Sequence, residues 1–142
     1  MSLSKKPKVI IDTNVFISGI LYGGNAEKIL RLFKDVKIEV VISPETLNEL
    51  LIKLAKFEVE EKLIEDLHYI LDTGGVKVLP TKKVTVARDK KDNMFLALAW
   101  ESKADYLVTG DKDLLILKNY ERTLIVSPKE FLEIMKIHST PS

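Results

Sequence analysis

Short, uniformly apolar runs recur along the chain, and most are followed by a segment of helical periodicity. Val9, Ile10 and Ile11 form the first run and stop at Asp12, after which Thr13, Asn14 and an apolar stretch through Leu21 read as a helix. Gly23 and Gly24 interrupt the chain before an amphipathic helix from Ala26 to Lys34 that carries Ile29, Leu30, Leu32 and Phe33. A strand from Ile38 to Ile42 runs into Ser43 and Pro44, an N-cap and first-turn pair. Leu47, Leu50, Leu51 and Leu54 then mark one helical stripe. A further helix from Val59 to Leu71 ends at Gly74 and Gly75, and Val76 to Leu79 is a short strand entering a lysine-rich loop.

In the second half, Asp92 opens a segment, Met94 to Trp100, that is apolar almost all round and therefore reads as a buried helix. Tyr106 to Val108 is the next strand, stopping at Thr109, Gly110 and Asp111, with Leu114 to Leu117 as a short helix or turn. Leu124 to Val126 is the last strand. Ser127, Pro128 and Glu130 form a capping-box start for a final helix carrying Phe131, Ile134 and Met135. Strands that are apolar throughout need cover on both faces, so their alternation with helices predicts an α/β fold, a three-layer α/β/α sandwich around a central parallel sheet. No repeat, low-complexity tract or linker divides the 142 residues, which are expected to form a single domain with loose ends near 1–7 and 138–142.

Composition narrows the chemistry. A hydrophobic fraction of 46% excludes an intrinsically disordered chain, and no apolar run approaches the length of about 20 residues needed to span a bilayer. The lysine-rich lead-in lacks a signal-peptide core, so a cytoplasmic protein with no membrane partner is expected. With no cysteine and only two histidines far apart in sequence, any metal must be held by oxygen. A net charge of +1 gives no global basic field, so binding of a polyanion would have to be local.

Ligands of open α/β sheets bind beyond the carboxyl ends of the strands. Asp12 ends the first strand, Asp111 and Asp113 follow the strand through Val108, and Asp89 and Asp92 precede the buried helix. Each aspartate has an alternative reading as a helix cap or solvated residue, and it is their joint placement that suggests a site. Carboxylates brought together repel, and the cation that relieves such repulsion in an all-oxygen environment is Mg²⁺ or Mn²⁺. Such a site performs phosphoryl chemistry by activating water and neutralising phosphodiester charge. Glu49 lies opposite the leucine stripe, which by pattern alone places it in solvent. Thr13, Asn14 and Thr109 either bind carboxylates or satisfy turn backbone, and the lysines between Lys82 and Lys91 form either a solvated face or a phosphate-steering edge. Absent motifs remove several alternatives: there is no P-loop, no glycine-rich dinucleotide fingerprint and no EF-hand loop. An aspartyl-nucleophile phosphatase is disfavoured because Asn14 stands where a second acid is expected.

Three stretches together, Ile11-Asp12-Thr13-Asn14-Val15-Phe16-Ile17-Ser18-Gly19, Arg88-Asp89-Lys90-Lys91-Asp92-Asn93 and Thr109-Gly110-Asp111-Lys112-Asp113-Leu114-Leu115, resemble the PIN-domain ribonucleases. The resemblance extends from about Val9 to Ile134 and points in particular to toxin components of VapC-type toxin–antitoxin pairs. It implies an acidic pocket binding Mg²⁺ or Mn²⁺ for endonucleolytic cleavage of RNA. The acids it assigns are Asp12, Glu49, Asp92 and Asp111 as catalytic residues, with Asp113 completing the metal cluster and Thr13, Asn14 and Thr109 in support. Glu49 is thereby promoted against the helical pattern. Lys90 departs from the proline that relatives often carry after the first aspartate of their loop, which leaves Asp89 without an assigned role. A homodimer and a cognate antitoxin protein are further expectations of the resemblance. Two rival functions remain at this point: a structure-specific DNA nuclease, since nothing in the sequence reads a 2′-hydroxyl, and a non-catalytic RNA-binding or assembly module, which clustered negative charge disfavours.

Overall fold

The computed structural model describes residues 6–139, with side chains to 136. Its elements in chain order are β1 (Lys8–Ile11), α1 (Thr13–Leu21), α2 (Gly24–Lys34), β2 (Glu39–Ile42), α3 (Pro44–Lys56), α4 (Glu61–Gly74) and β3 (Val76–Lys77). These are followed by α5 (Lys90–Ser102), β4 (Tyr106–Val108), α6 (Lys112–Leu115), β5 (Asn119–Tyr120), β6 (Thr123–Val126) and α7 (Pro128–Ser139). Of the expected loose ends, residues 1–5 and 140–142 lie outside the described residues, and the backbone of α7 is helical as far as Ser139.

The sheet has the order β3-β2-β1-β4-β6-β5, parallel throughout except that β5 pairs antiparallel with β6. Alternate residues of each strand feed two cores. Val9, Ile11, Val40, Ile42, Val108 and Val126 pack toward α1 to α4 and α7, where Phe16, Ile29, Leu54 and Phe131 are buried. Ile10, Val41, Leu107 and Ile125 pack toward α5 and α6, against Phe95, Leu96, Leu98 and Leu114. Burial on both faces is why the strands are apolar at every position, and it makes the three-layer sandwich. On the first face α1 and α2 approach so closely that a Cβ on Gly19 would stand 2.8 Å from Leu30 Cδ1.

Two sequence expectations change. The strand expected to reach Leu79 ends at Lys77, because β2 stops where Ser43 caps α3 and leaves only Ile42 O to accept from Val78 N. The sheet is also not wholly parallel. The two-residue turn Glu121–Arg122, with Glu121 at φ +53°, folds Asn119 and Tyr120 back onto β6, and its sequence lacks the Asn-Gly or Asp-Gly signal of a hairpin.

Strand order reverses between β1 and β4: the chain proceeds from β1 outward to β2 and β3, then returns to β4 on the other side. The loops leaving those two adjacent strands diverge, one into α1 and the other toward α6. Such a switch point opens a crevice at the carboxyl end of the sheet. Asp12 and Thr109 are the residues that immediately follow the two strands.

Candidate active site

Asp12 is built into the crevice by backbone as well as side chain. Its N–H extends the ladder by donating to Val108 O, and its carboxylate caps α1 through Oδ1, which accepts from Asn14 N at 3.1 Å. Oδ2 accepts from the Thr109 hydroxyl at 2.7 Å. Thr109 Oγ1 in turn accepts from Asp111 N, and Asp111 caps α6 by accepting from Asp113 N at 2.9 Å. The helix-cap reading is therefore correct for Asp12 and Asp111, but capping occupies one oxygen of each and leaves their charge in the crevice.

Asp92 departs from expectation. It does not open its helix: Asp89 is the N-cap of α5, accepting from Lys91 N at 2.9 Å, and Asp92 is the third residue of the first turn. Its side chain is buried, and Oδ2 has no hydrogen-bond donor. Burial pushes the Asp92 carboxyl up to about 7, assisted by the hydrogen bond its protonated form gives Asp111 and by the charges of Asp111, Asp89 and Asp12. Asp12 is raised in the same direction, chiefly by burial and also by Asp111, against the lowering effects of Thr109, Asn14 and Lys53. Asp12, Asp92 and Asp111 thus act on one another although about 80 or more positions separate the first from the other two.

Glu49 is not in solvent. Its side chain is 16% exposed, because the flank of α3 that carries it faces α1 and α5 while the leucine stripe packs beneath. Thr13 Oγ1 donates to Glu49 Oε2 at 3.0 Å, and Lys91 Nζ lies 3.6 Å from Oε1. Asn14 Oδ1 accepts from Lys53 Nζ at 3.2 Å. Asp113 stands at the edge, half exposed and paired with Arg88 at 3.2 Å, and it is not among the charges acting on Asp92. Lys53 is the residue that sequence reasoning missed. Its spacing of four from Glu49 on one helix was the available signal.

A cleft of about 420 Å³ opens beside Asp12 and Asp111, lined also by Asn14, Ser18 and Gly110 among others. Among the described residues no three acidic or histidine side chains already stand in ligating arrangement around one point. The donor set nevertheless suits a hard divalent ion. It is all oxygen, and it contains a buried carboxylate oxygen without a donor whose ionisation is opposed by neighbouring acids. A cation placed there would supply the missing partner and relieve the repulsion.

A family model described as PIN domain matches residues 8–113, a span that includes all five acids. The chain is also 38% identical over 142 aligned positions to the uncharacterized protein MJ1680 of Methanocaldococcus jannaschii, the match covering 90% of this chain and 91% of that protein. Among the described residues no helix is long and apolar enough to cross a membrane.

Proposed function

The chain belongs to the PIN-domain family, a membership that points to nuclease chemistry, and from it and the geometry above we propose that the protein is a Mg²⁺- or Mn²⁺-dependent endoribonuclease. The observation that carries this reading is the buried, donor-less oxygen of Asp92 set against Asp111 and Asp12 at the switch point of the sheet. A protein that only bound RNA would gain nothing from such an arrangement, since uncompensated acids repel phosphate.

Asp12, Asp92 and Asp111 would hold the ion, with Asp113 and Glu49 on its flanks. When bound, Mg²⁺ or Mn²⁺ supplies Lewis-acid chemistry, making water more acidic and neutralising charge that develops on the phosphodiester. The chain's own groups fix the geometry. Asn14 N and Thr109 Oγ1 hold both oxygens of Asp12, so its carboxylate cannot rotate away from the cleft. Thr13 on α1 and Lys91 on α5 hold Glu49 on α3, and Lys53 bridges α3 to the α1 N-terminus. Hydrolysis in line would leave a 5′-phosphate and a 3′-hydroxyl.

On the strength of the sequence motifs we assign the protein the role of toxin in a toxin–antitoxin pair, acting in the cytoplasm as a homodimer with a cognate antitoxin as partner. The test is cleavage of matched labelled RNA and DNA with Mg²⁺, Mn²⁺ or excess chelator. RNA cut only with metal supports the reading. DNA cut in preference, or RNA cut equally well in EDTA, contradicts it.

A further inference from the structure

From this nuclease reading, on which it rests, we infer that a second site, a lysine-rimmed cavity between the 79–89 loop and α5, holds a base of single-stranded RNA whose backbone runs from the acids along the flank of α3. The cavity measures about 660 Å³, within the range of about 300 to 1,000 Å³ usual for small-molecule sites. Its wall is apolar, formed by Leu79, Pro80, Val84, Met94 and Ala97, and Lys83 and Lys90 stand on its rim.

The cavity continues toward Glu49. A second groove of about 440 Å³ shares Glu45, Lys90 and Met94 with it. That groove is lined by Lys53, Lys56 and Lys91, and by Glu49. A strand lying in both would meet a lysine at nearly every step, with Glu45 as the one acid they share. In a chain of net charge +1 this is a local concentration of positive charge. Lys53 and Lys91 are engaged with Asn14 and Glu49, but among the described residues Lys56, Lys83 and Lys90 have no ion-pair partner. Cations held on a rim without counter-charge are suited to phosphates.

The loop is fixed, which separates this cavity from an accidental gap. Glu101 accepts from both the N–H and the hydroxyl of Thr81, at 2.9 and 2.8 Å. Val84 is buried in the α5 core, and Asn93 makes two reciprocal hydrogen bonds with the backbone of Ala87, at 2.7 and 3.0 Å. Lys82 is held over the Trp100 ring at 3.8 Å. An apolar wall with a basic rim matches an unstacked base with its phosphates, whereas a base in a duplex cannot leave its stack cheaply.

The experiment uses a fluorescent single-stranded RNA of about 12 nucleotides carrying 4-thiouridine, titrated onto the full chain in EDTA to prevent turnover, then photocrosslinked and mapped. Lys56→Ala and Lys83→Ala should each weaken binding and reduce the slope of log affinity against log salt by about 0.7 for each phosphate no longer neutralised. Leu79→Ala, on an exposed side chain, should weaken binding about fivefold without changing that slope. Crosslinks should fall in residues 79–85 and 93–97, and a duplex of the same sequence should bind equally to wild type and Leu79→Ala. Crosslinks confined to other surfaces, or variants that bind like wild type, overturn the second site. If the Mn²⁺-loaded protein still cuts RNA in that case, the nuclease reading stands. If RNA is neither bound nor cut, both fail.

Discussion

The hydroxyl of Thr109 donates to Asp12 Oδ2 at 2.7 Å across 97 positions of sequence, and the same hydroxyl oxygen accepts from Asp111 N. One side chain therefore couples the ends of β1 and β4 and orders two acids at once. Thr109→Val keeps the shape of this fully buried residue but leaves Asp12 with one donor fewer and Asp111 N without an acceptor. It should lower stability by roughly 1–3 kcal/mol. Metal affinity should weaken about 10- to 100-fold, as expected when a residue that orients a ligand is lost. Chemical denaturation and Mn²⁺ titration measure the two effects; wild-type values for both would contradict the coupling.

Asp92 gives the metal-free protein an unusual pH dependence. Its carboxyl is raised from 3.8 to about 7 in the folded protein, so between those values the native state holds a proton that the unfolded chain has released. Stability then falls as pH rises through that window. Asp12 is raised too and contributes with the same sign. Melting temperature in EDTA should therefore increase by a few degrees from about pH 8 to about pH 5. It should decrease again at lower pH, where Asp72, Glu101 and Glu130, all lowered by hydrogen bonds, become protonated. A melting temperature that rises steadily across the same range toward alkaline pH in chelator would contradict the assignment.

Divalent metal should oppose that trend. A ligand that binds only the folded state raises its stability, by about 2.7 kcal/mol at 100 times its dissociation constant. Mg²⁺ or Mn²⁺ should raise the melting temperature more at about pH 8, where no proton competes, than at about pH 5. At about pH 8 Asp92→Asn should stabilise the metal-free protein, because it removes a buried charge there, and it should abolish most of the metal increment. Thermal scans in which Asp92→Asn responds to metal like wild type would remove Asp92 from the ligand set.

Much of this arrangement was legible in the sequence. Strands buried on two faces must be apolar at every position, and Val9–Ile11, Val40–Ile42 and Tyr106–Val108 are almost wholly so. Acids at the ends of such strands converge whenever the strands are neighbours, which puts Asp12 near Asp111. Capping signals locate α3 and α7: Ser43 and Thr46 cap reciprocally, as do Ser127 and Glu130.

What stayed hidden depended on packing between elements. Periodicity identifies the most apolar stripe of a helix but not the flank that a second helix covers, and that flank carries Glu49 and Lys53. Asp92 reads as a helix opener because nothing in sequence distinguishes its capping chemistry from that of Asp89, three residues earlier. β5 forms two backbone-paired residues and a turn with no glycine, so it leaves no pattern to read.

The most direct test of the central claim is single-turnover RNA cleavage by wild type and Asp12→Asn, with and without Mn²⁺, beside RNA binding at fixed salt and circular dichroism to verify folding. Asparagine retains the size of Asp12 and caps a helix nearly as well, while removing the charge that would hold an ion. Wild type should cut only with metal, and Asp12→Asn should be slower by at least about 100-fold. RNA binding by the variant should be equal or tighter, because a negative charge beside the phosphates is gone. A folded Asp12→Asn protein that cuts at the wild-type rate would contradict the account.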